Sequence, residues 1–400
     1  MDIKKEYTGE QEVGLRKPVH QRPEFWVVHP WQKYPHHPPL PLAFPPDDLM
    51  LDLVNLYFLH VNQAFPFVHR PSFFKGVTEG LHHRDRHFGA LVIVVSALGA
   101  RYSNDSRVLE TSTTSEHSIG WKWVRSIQPL SRSFLHPTTV NEIQMLALYT
   151  MFMGVSSTPE IGWVLLSTGV RLIQDAGAHR MTGNRDGRAL AEYESWKRAV
   201  WMMYTLDLFA SAVLGRPSCM KEDDFDVDLP LECDDEFWDP ADPQRVSDRP
   251  QGDSSTMTYW ICYIKLMKIL GAVLRAVYPV KRSEETSSKE WNERVVAELD
   301  SMLNKWTDEI PEHLRWDPAL VNHEHYSQSV MLYATYYWIQ IVIHRPFIPR
   351  PAEDPPLSFP SLAICANAAR SCLHVVEAQQ RRKLNLLTLP NLMVCALRFH

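Results

Sequence analysis

No two of the six cysteines, Cys219, Cys233, Cys262, Cys365, Cys372 and Cys395, stand in a Cys-x2-Cys pair, and none precedes residue 219. So few and so scattered, they exclude a disulfide framework and a zinc module built from close pairs. They read as buried thiols in a reducing compartment. Positive charge is not in excess either: Lys and Arg number 41 against 47 Asp and Glu, for a net charge of -6. A domain that grips phosphate backbones by itself carries a basic face, so this balance argues against direct DNA binding. The longest strongly apolar run, "HFGALVIVVSALGA" from His87 to Ala100, is too short to span a bilayer, and no membrane role is expected. The opening "MDIKKEYTGEQEV" is polar and does not read as a secretory leader, which leaves the sequon at Asn104 a chance match. There is also no Gly-x-Ser-x-Gly elbow, no phosphate-binding glycine loop and no Gly-x-Gly-x2-Gly turn. Catalysis is not expected.

What is present is apolar residue at helical spacing. Hydrophobic residues make up 45% of the 400 and charged residues 22%, enough for a sizeable core. Residues 1–46 form a proline-rich lead-in, "WVVHPWQKYPHHPPLPLAFPP", expected to be extended and pinned to the domain surface by Trp26, Trp31 and Phe44. From 47 to 400 one large all-α domain of about ten helices is predicted. The first helix, capped by Asp47 or Asp48, carries Leu49, Leu53, Val54 and Tyr57, and Pro66 and Pro71 break the chain after it. Further helices are expected near 87–101, 140–153, 160–178, 189–214, 256–278, 286–308, 320–344 and 358–384. No alternating stretch argues for a sheet. Residues 216–255, rich in proline and acid, read as a long irregular loop.

Three acidic or histidine groupings invite a metal reading and fail it. Asp224, Asp226 and Asp228 alternate like the start of a calcium loop, but Leu229-Pro230 stands where a glycine is needed. That run is expected to be a solvated loop, its acids replaceable; Asp235, taken as exposed, should cost about 0–0.5 kcal/mol on loss. "DDLMLD" (47–52) has the outline of a terpene-synthase aspartate motif, but the second magnesium triad is missing. "HEH" (323–325) does not put two ligands on one helical face.

Five stretches, in order, carry a resemblance: "LDLVNLYFLHVNQAFPFVHRPSFF" (51–74), "VVSALGARYS" (94–103), "GWVLLSTGVRLIQDAGAHR" (162–180), "SWKRAVWMMYTLDLFASAVLGRPSCMKEDDFDVDLP" (195–230) and "TYYWIQIVIHRPFI" (335–348). Together they resemble the regulatory middle-homology, or xylanolytic-activator-type, domain of fungal zinc-cluster transcription factors. The resemblance covers about residues 25 to 350. It implies an all-α domain in a nuclear regulator of transcription by RNA polymerase II. Its expected partners are co-regulators or the transcription machinery, a small-molecule effector, and a second copy in a homodimer. It also implies a six-cysteine module holding two zinc ions, N-terminal to the domain, as the DNA reader. No such cysteines precede Cys219, so zinc and DNA are expected only through that absent module, and no cofactor is expected in this chain. The chain reads as a fragment, trimmed at its apolar C-terminal end as well, or as a cluster-less interaction protein. Leu208 replaces the basic residue that the family commonly carries after the aspartate matched by Asp207.

Read physically, the motifs look structural. Asp207 is the interior acid of an apolar helix and needs a basic partner or backbone donors. Arg216 and Arg171 are the expected cations. Gly215 permits a left-handed C-cap and Pro217 prevents continuation, so Asp207, Gly215, Arg216 and Pro217 read as a folding lock, with a ligand contact at Arg216 as the alternative. His69-Arg70-Pro71 and His344-Arg345-Pro346 both read as helix terminators whose cations offset the helix dipole.

Overall fold

A computed structural model describes residues 40–130, 137–181, 190–237, 255–281, 288–349 and 360–382. Its described residues hold eleven α-helices: α1 Asp47–His60, α2 Arg70–Thr78, α3 Arg86–Gly99, α4 Trp121–Val124, α5 Val140–Gly154, α6 Glu160–Asp175, α7 Leu190–Leu214, α8 Thr256–Val277, α9 Lys289–Glu309, α10 His323–His344 and α11 Ser361–Arg381. The sheet is one parallel pair of two-residue strands, β1 Arg180–Met181 and β2 Asp226–Val227. Most of the lead-in, with Trp26 and Trp31, lies outside the described residues. Of its last part, the Ala43 amide donates to Ser126 Oγ at 3.1 Å and Phe44 sits edge-on to His82 and His83, so residues 40–46 do run along the surface.

The helices form where periodicity and caps agree. On α9 the buried positions are Val295, Val296, Leu299, Leu303 and Trp306, one stripe at three- and four-residue spacing, with Ser288 capping Trp291 N–H. The Asp85 side chain caps α3, and from Phe88 to Gly99 every residue of that helix is buried. It packs between α1 and α5. Gly99 is required there, because a Cβ would lie 2.0 Å from the Leu53 carbonyl oxygen. Packing then runs from α5 to α6 and α7, from α7 to α8, and from α8 to α9 and α10, with α11 laid on α10. One continuous apolar core extends from Leu49 to Cys372.

Several local expectations need correction. Pro46 holds the N-cap position of α1 without a side-chain cap, and Asp47 and Asp48 sit in the first turn, where their charges suit the positive helix end. His69-Arg70-Pro71 does not end a helix; it starts one. His69 is the N-cap of α2, its ring accepting from Ser72 N–H, and Pro71 occupies the first turn, where a missing N–H costs nothing.

The acidic run is a docked strap rather than a solvated loop. Glu194 Oε2 accepts from Leu231 N–H at 3.0 Å, Lys197 Nζ donates to the Leu229 carbonyl at 3.2 Å, and Trp201 Nε1 donates to the Asp228 carbonyl at 2.9 Å. Arg198 Nη1 meets Asp235 Oδ1 at 2.6 Å. These four positions share one face of α7, which holds the strap along its length. Asp234 then caps α8, accepting from Thr256 N–H at 2.9 Å. The carboxylates of Asp224, Asp226 and Asp228 still face solvent. Changing all three to Asn is expected to move stability by less than about 1 kcal/mol. Thermal melting with and without calcium checks this; a calcium stabilisation of the parent that the variant lacks would contradict it.

Candidate functional site

The end of α7 is built around Asp207. Its side chain is fully buried. Oδ2 accepts from the Cys219 N–H at 2.7 Å and the Met220 N–H at 3.0 Å. The expected cation is not the partner. Arg171 lies on the exposed face of α6 and bonds Gln174 at 2.8 Å, while Arg216 stacks over the Trp163 ring, 5.1 Å from its centroid. Two backbone donors instead pin the segment after the helix. Burial pushes the Asp207 carboxyl up to about 6, against the pull of those amides and of the Cys219 thiol. Oδ1 is buried without a hydrogen-bond partner.

Between Asp207 and its donors the chain must reverse. Gly215 takes φ of 67°, and Arg216 N–H returns to the Ser211 carbonyl at 3.0 Å, closing a Schellman cap. Pro217 follows. Asp207, Gly215 and Pro217 thus shape this reversal, and Arg216 projects away from Asp207.

Arg216 lines an open cleft of about 390 Å³ between the ends of α7, α8 and α10. Arg345 of the second His-Arg-Pro stretch lines the same cleft, as do Lys221 and Arg275, and among the described residues no Asp or Glu does. Arg345 lies over the Tyr278 ring at 5.8 Å and its Nη2 donates to Tyr278 Oη at 3.4 Å. Tyr278 Oη in turn donates to the Val342 carbonyl at 2.7 Å, tying the end of α8 to α10. Arg275 is partly offset by Glu222 at 3.5 Å. No salt bridge to Arg216, Lys221 or Arg345 exists among the described residues. Ala212, Leu274, Pro279 and Val342 give the walls an apolar share. Such a cleft concentrates positive potential in a chain of net charge -6 and can hold an anion.

The other predicted residues fall elsewhere. Arg70 stacks over Phe74 at 5.5 Å, and its N–H bonds Asp235 Oδ2 at 2.9 Å. His344 does end α10, but it is fully buried and serves as a hub: Nε2 lies 3.2 Å from Asp300 on α9, and Nδ1 lies 3.3 Å from Ser361 Oγ on α11. The trio has the order of a hydrolytic relay, but Ser361 is buried and lines neither this cleft nor the one beside Asp235. Pro346 sits in the 3-10 turn that follows, Arg345–Phe347. No group of three His, Cys, Asp or Glu suited to a metal ion occurs among the described residues. No helix among them is long and apolar enough to cross a membrane. Sequence reasoning missed Lys221, Arg275 and Tyr278, which carry no motif, and Arg198, whose signal was a basic residue among Trp196, Val200 and Trp201.

The profile described as "Fungal specific transcription factor domain" matches residues 54–308. Among similar curated proteins, Activator of stress genes 1 of Saccharomyces cerevisiae is 26% identical over 77% of this chain and 32% of its own length. Transcriptional activator protein acu-15 of Neurospora crassa is 25% identical over 87% of this chain and 36% of its own. Cutinase transcription factor 1 alpha of Fusarium vanettenii is 26% identical over 83% and 35%. The chain thus spans about a third of the length of these relatives, two of which are named as a transcriptional activator and a transcription factor. No solved structure matches it. With the match covering more than half of the residues and the helical fold in agreement, the chain belongs to the fungal specific transcription factor domain family.

Proposed function

We propose that this chain is the regulatory part of a nuclear fungal transcription regulator, and that its output depends on what occupies the cleft at Arg216. DNA contact falls to a zinc-cluster module outside residues 1–400, and co-regulators receive the output. The observation that carries this is a convergence: Arg216 and Arg345, from motifs far apart in the chain, line one cleft where three helices end. A cleft between packed elements is where occupancy can bias their arrangement.

The test fuses the chain to an unrelated DNA-binding module in a fungal host carrying a matching reporter. Reporter output should differ severalfold from that of the module alone, and Arg216→Glu together with Arg345→Glu should change it again. Equal outputs from stably expressed, nuclear fusions would remove the proposal.

A further inference from the structure

We infer that the Arg216 cleft binds a small organic anion, with a carboxylate or phosphate group held by Arg216, Arg345 and Lys221 and an apolar body laid on Leu274, Pro279 and Val342. This deepens the regulatory reading above and rests on it for its biological meaning.

Three observations carry it. First, the two guanidinium groups are positioned by aromatic faces rather than by carboxylates. Arg216 lies over Trp163 at 5.1 Å and Arg345 over Tyr278 at 5.8 Å. Stacking fixes a guanidinium plane while leaving most of its N–H fork unused, and that fork matches the oxygens of a carboxylate or phosphate. A pair meant only to hold the fold would be closed by an acid, as Arg198 is by Asp235. Second, Ser211 lines the cleft, is 1% exposed, and its Oγ has no hydrogen-bond partner. A buried hydroxyl left without a partner is costly, and this one stands in the cleft wall as an unused donor. Third, the chemistry of the lining is mixed in the way a ligand site is: among the described residues, four cations, no acids, and several apolar side chains around about 390 Å³. That is small for a peptide segment and fits the lower range of small-molecule clefts, ~300–1,000 Å³.

The test is calorimetric titration of the full chain with phenyl phosphate, benzoate, neutral benzamide and an oligoglutamate peptide. Phenyl phosphate or benzoate should bind at one site, the tighter of the two identifying the anionic group, while benzamide should not. Arg216→Gln and Arg345→Gln should each weaken binding about tenfold or more, and Lys305→Gln, a surface change on α9, should leave it intact. Lys221→Gln, on an exposed loop position, provides a variant that will not disturb folding and should weaken binding about threefold. Failure of both anions to bind, equal binding of benzamide, unchanged affinity in all three cleft variants, or binding of the peptide alone would each overturn the inference. If no anion binds but the reporter still responds to the chain, the ligand class falls and the regulatory reading stands. If an anion binds and the reporter is silent, the reverse holds.

Discussion

Asp235→Ala should lower the stability of the domain by roughly 3–5 kcal/mol, although Asp235 sits in an acidic stretch that sequence alone places in solvent. Its carboxylate does two things at once. Oδ1 pairs with Arg198, whose side chain is 1% exposed, and Oδ2 accepts from the Arg70 N–H at the start of α2. Removing it takes the Asp235 charge away from a guanidinium held inside the protein, and releases the strap from α2. Much of the cost is the lost pairing of that buried guanidinium, so Arg198→Met with Asp235→Leu should recover part of it. Asp235→Asn, which keeps an acceptor but no charge, should fall between. Urea denaturation of the four proteins measures this. A loss below about 1 kcal/mol for Asp235→Ala would show that Arg198 is adequately held without it.

Asp207→Ala should cost about 2–6 kcal/mol, through a different mechanism from that expected of a salt bridge. It strands the N–H groups of Cys219 and Met220, at about 1–3 kcal/mol each. No cation is left behind, so a second change at Arg216 should add no rescue. Asp207→Asn keeps an acceptor for those amides and should be far milder. The two forms also separate with pH. The carboxyl has a folded value of about 6 against an ordinary 3.8, so the native state holds its proton more tightly than the unfolded chain. Its contribution to stability is therefore full below about pH 3.8 and is lost as pH rises to about 6. Asparagine does not titrate. The stability of Asp207→Asn relative to the parent should rise across that window and level off above it. A flat difference between pH 4 and 7 in paired denaturation curves would refute the shifted carboxyl.

The helices were legible because their signal is local. Val295, Leu299 and Leu303 announce one face of α9 from spacing alone, and Gly215 and Pro217 mark the end of α7 as the structure has it. The burial of Asp207 was legible for the same reason. Its partner was not, since a backbone N–H belongs to every residue but proline and leaves no trace in residue type; a search for opposite charge finds Arg216 and misses Cys219. His69 and His344 show a second limit. The same His-Arg-Pro begins α2 and ends α10, because proline suits the first turn of a helix as well as the residues after the last. Composition failed most clearly at the acidic strap. Charge density marks Asp224 and Asp226 correctly as exposed, but Asp234 and Asp235 fold back onto α8 and α7, and only tertiary structure distinguishes them.

The packing of α10 bears on where this unit can be cut. The family match ends at residue 308, before α10 and α11. Yet α10 is apolar on nearly every side: Met331, Leu332, Trp338, Ile339 and Ile343 are all buried, Trp338 packs on Phe209 of α7, and Val342 receives Tyr278. An expression fragment trimmed to residues 54–308 would bare those faces of α7, α8 and α9 and lose Arg345 from the cleft. It would be prone to aggregate, and silence from it in a binding or reporter assay would say nothing about the intact protein. A fragment that keeps core and cleft together must also include α10 and α11 through Arg382, whose guanidinium ties the end of the last helix to the Leu320 carbonyl at 2.6 Å.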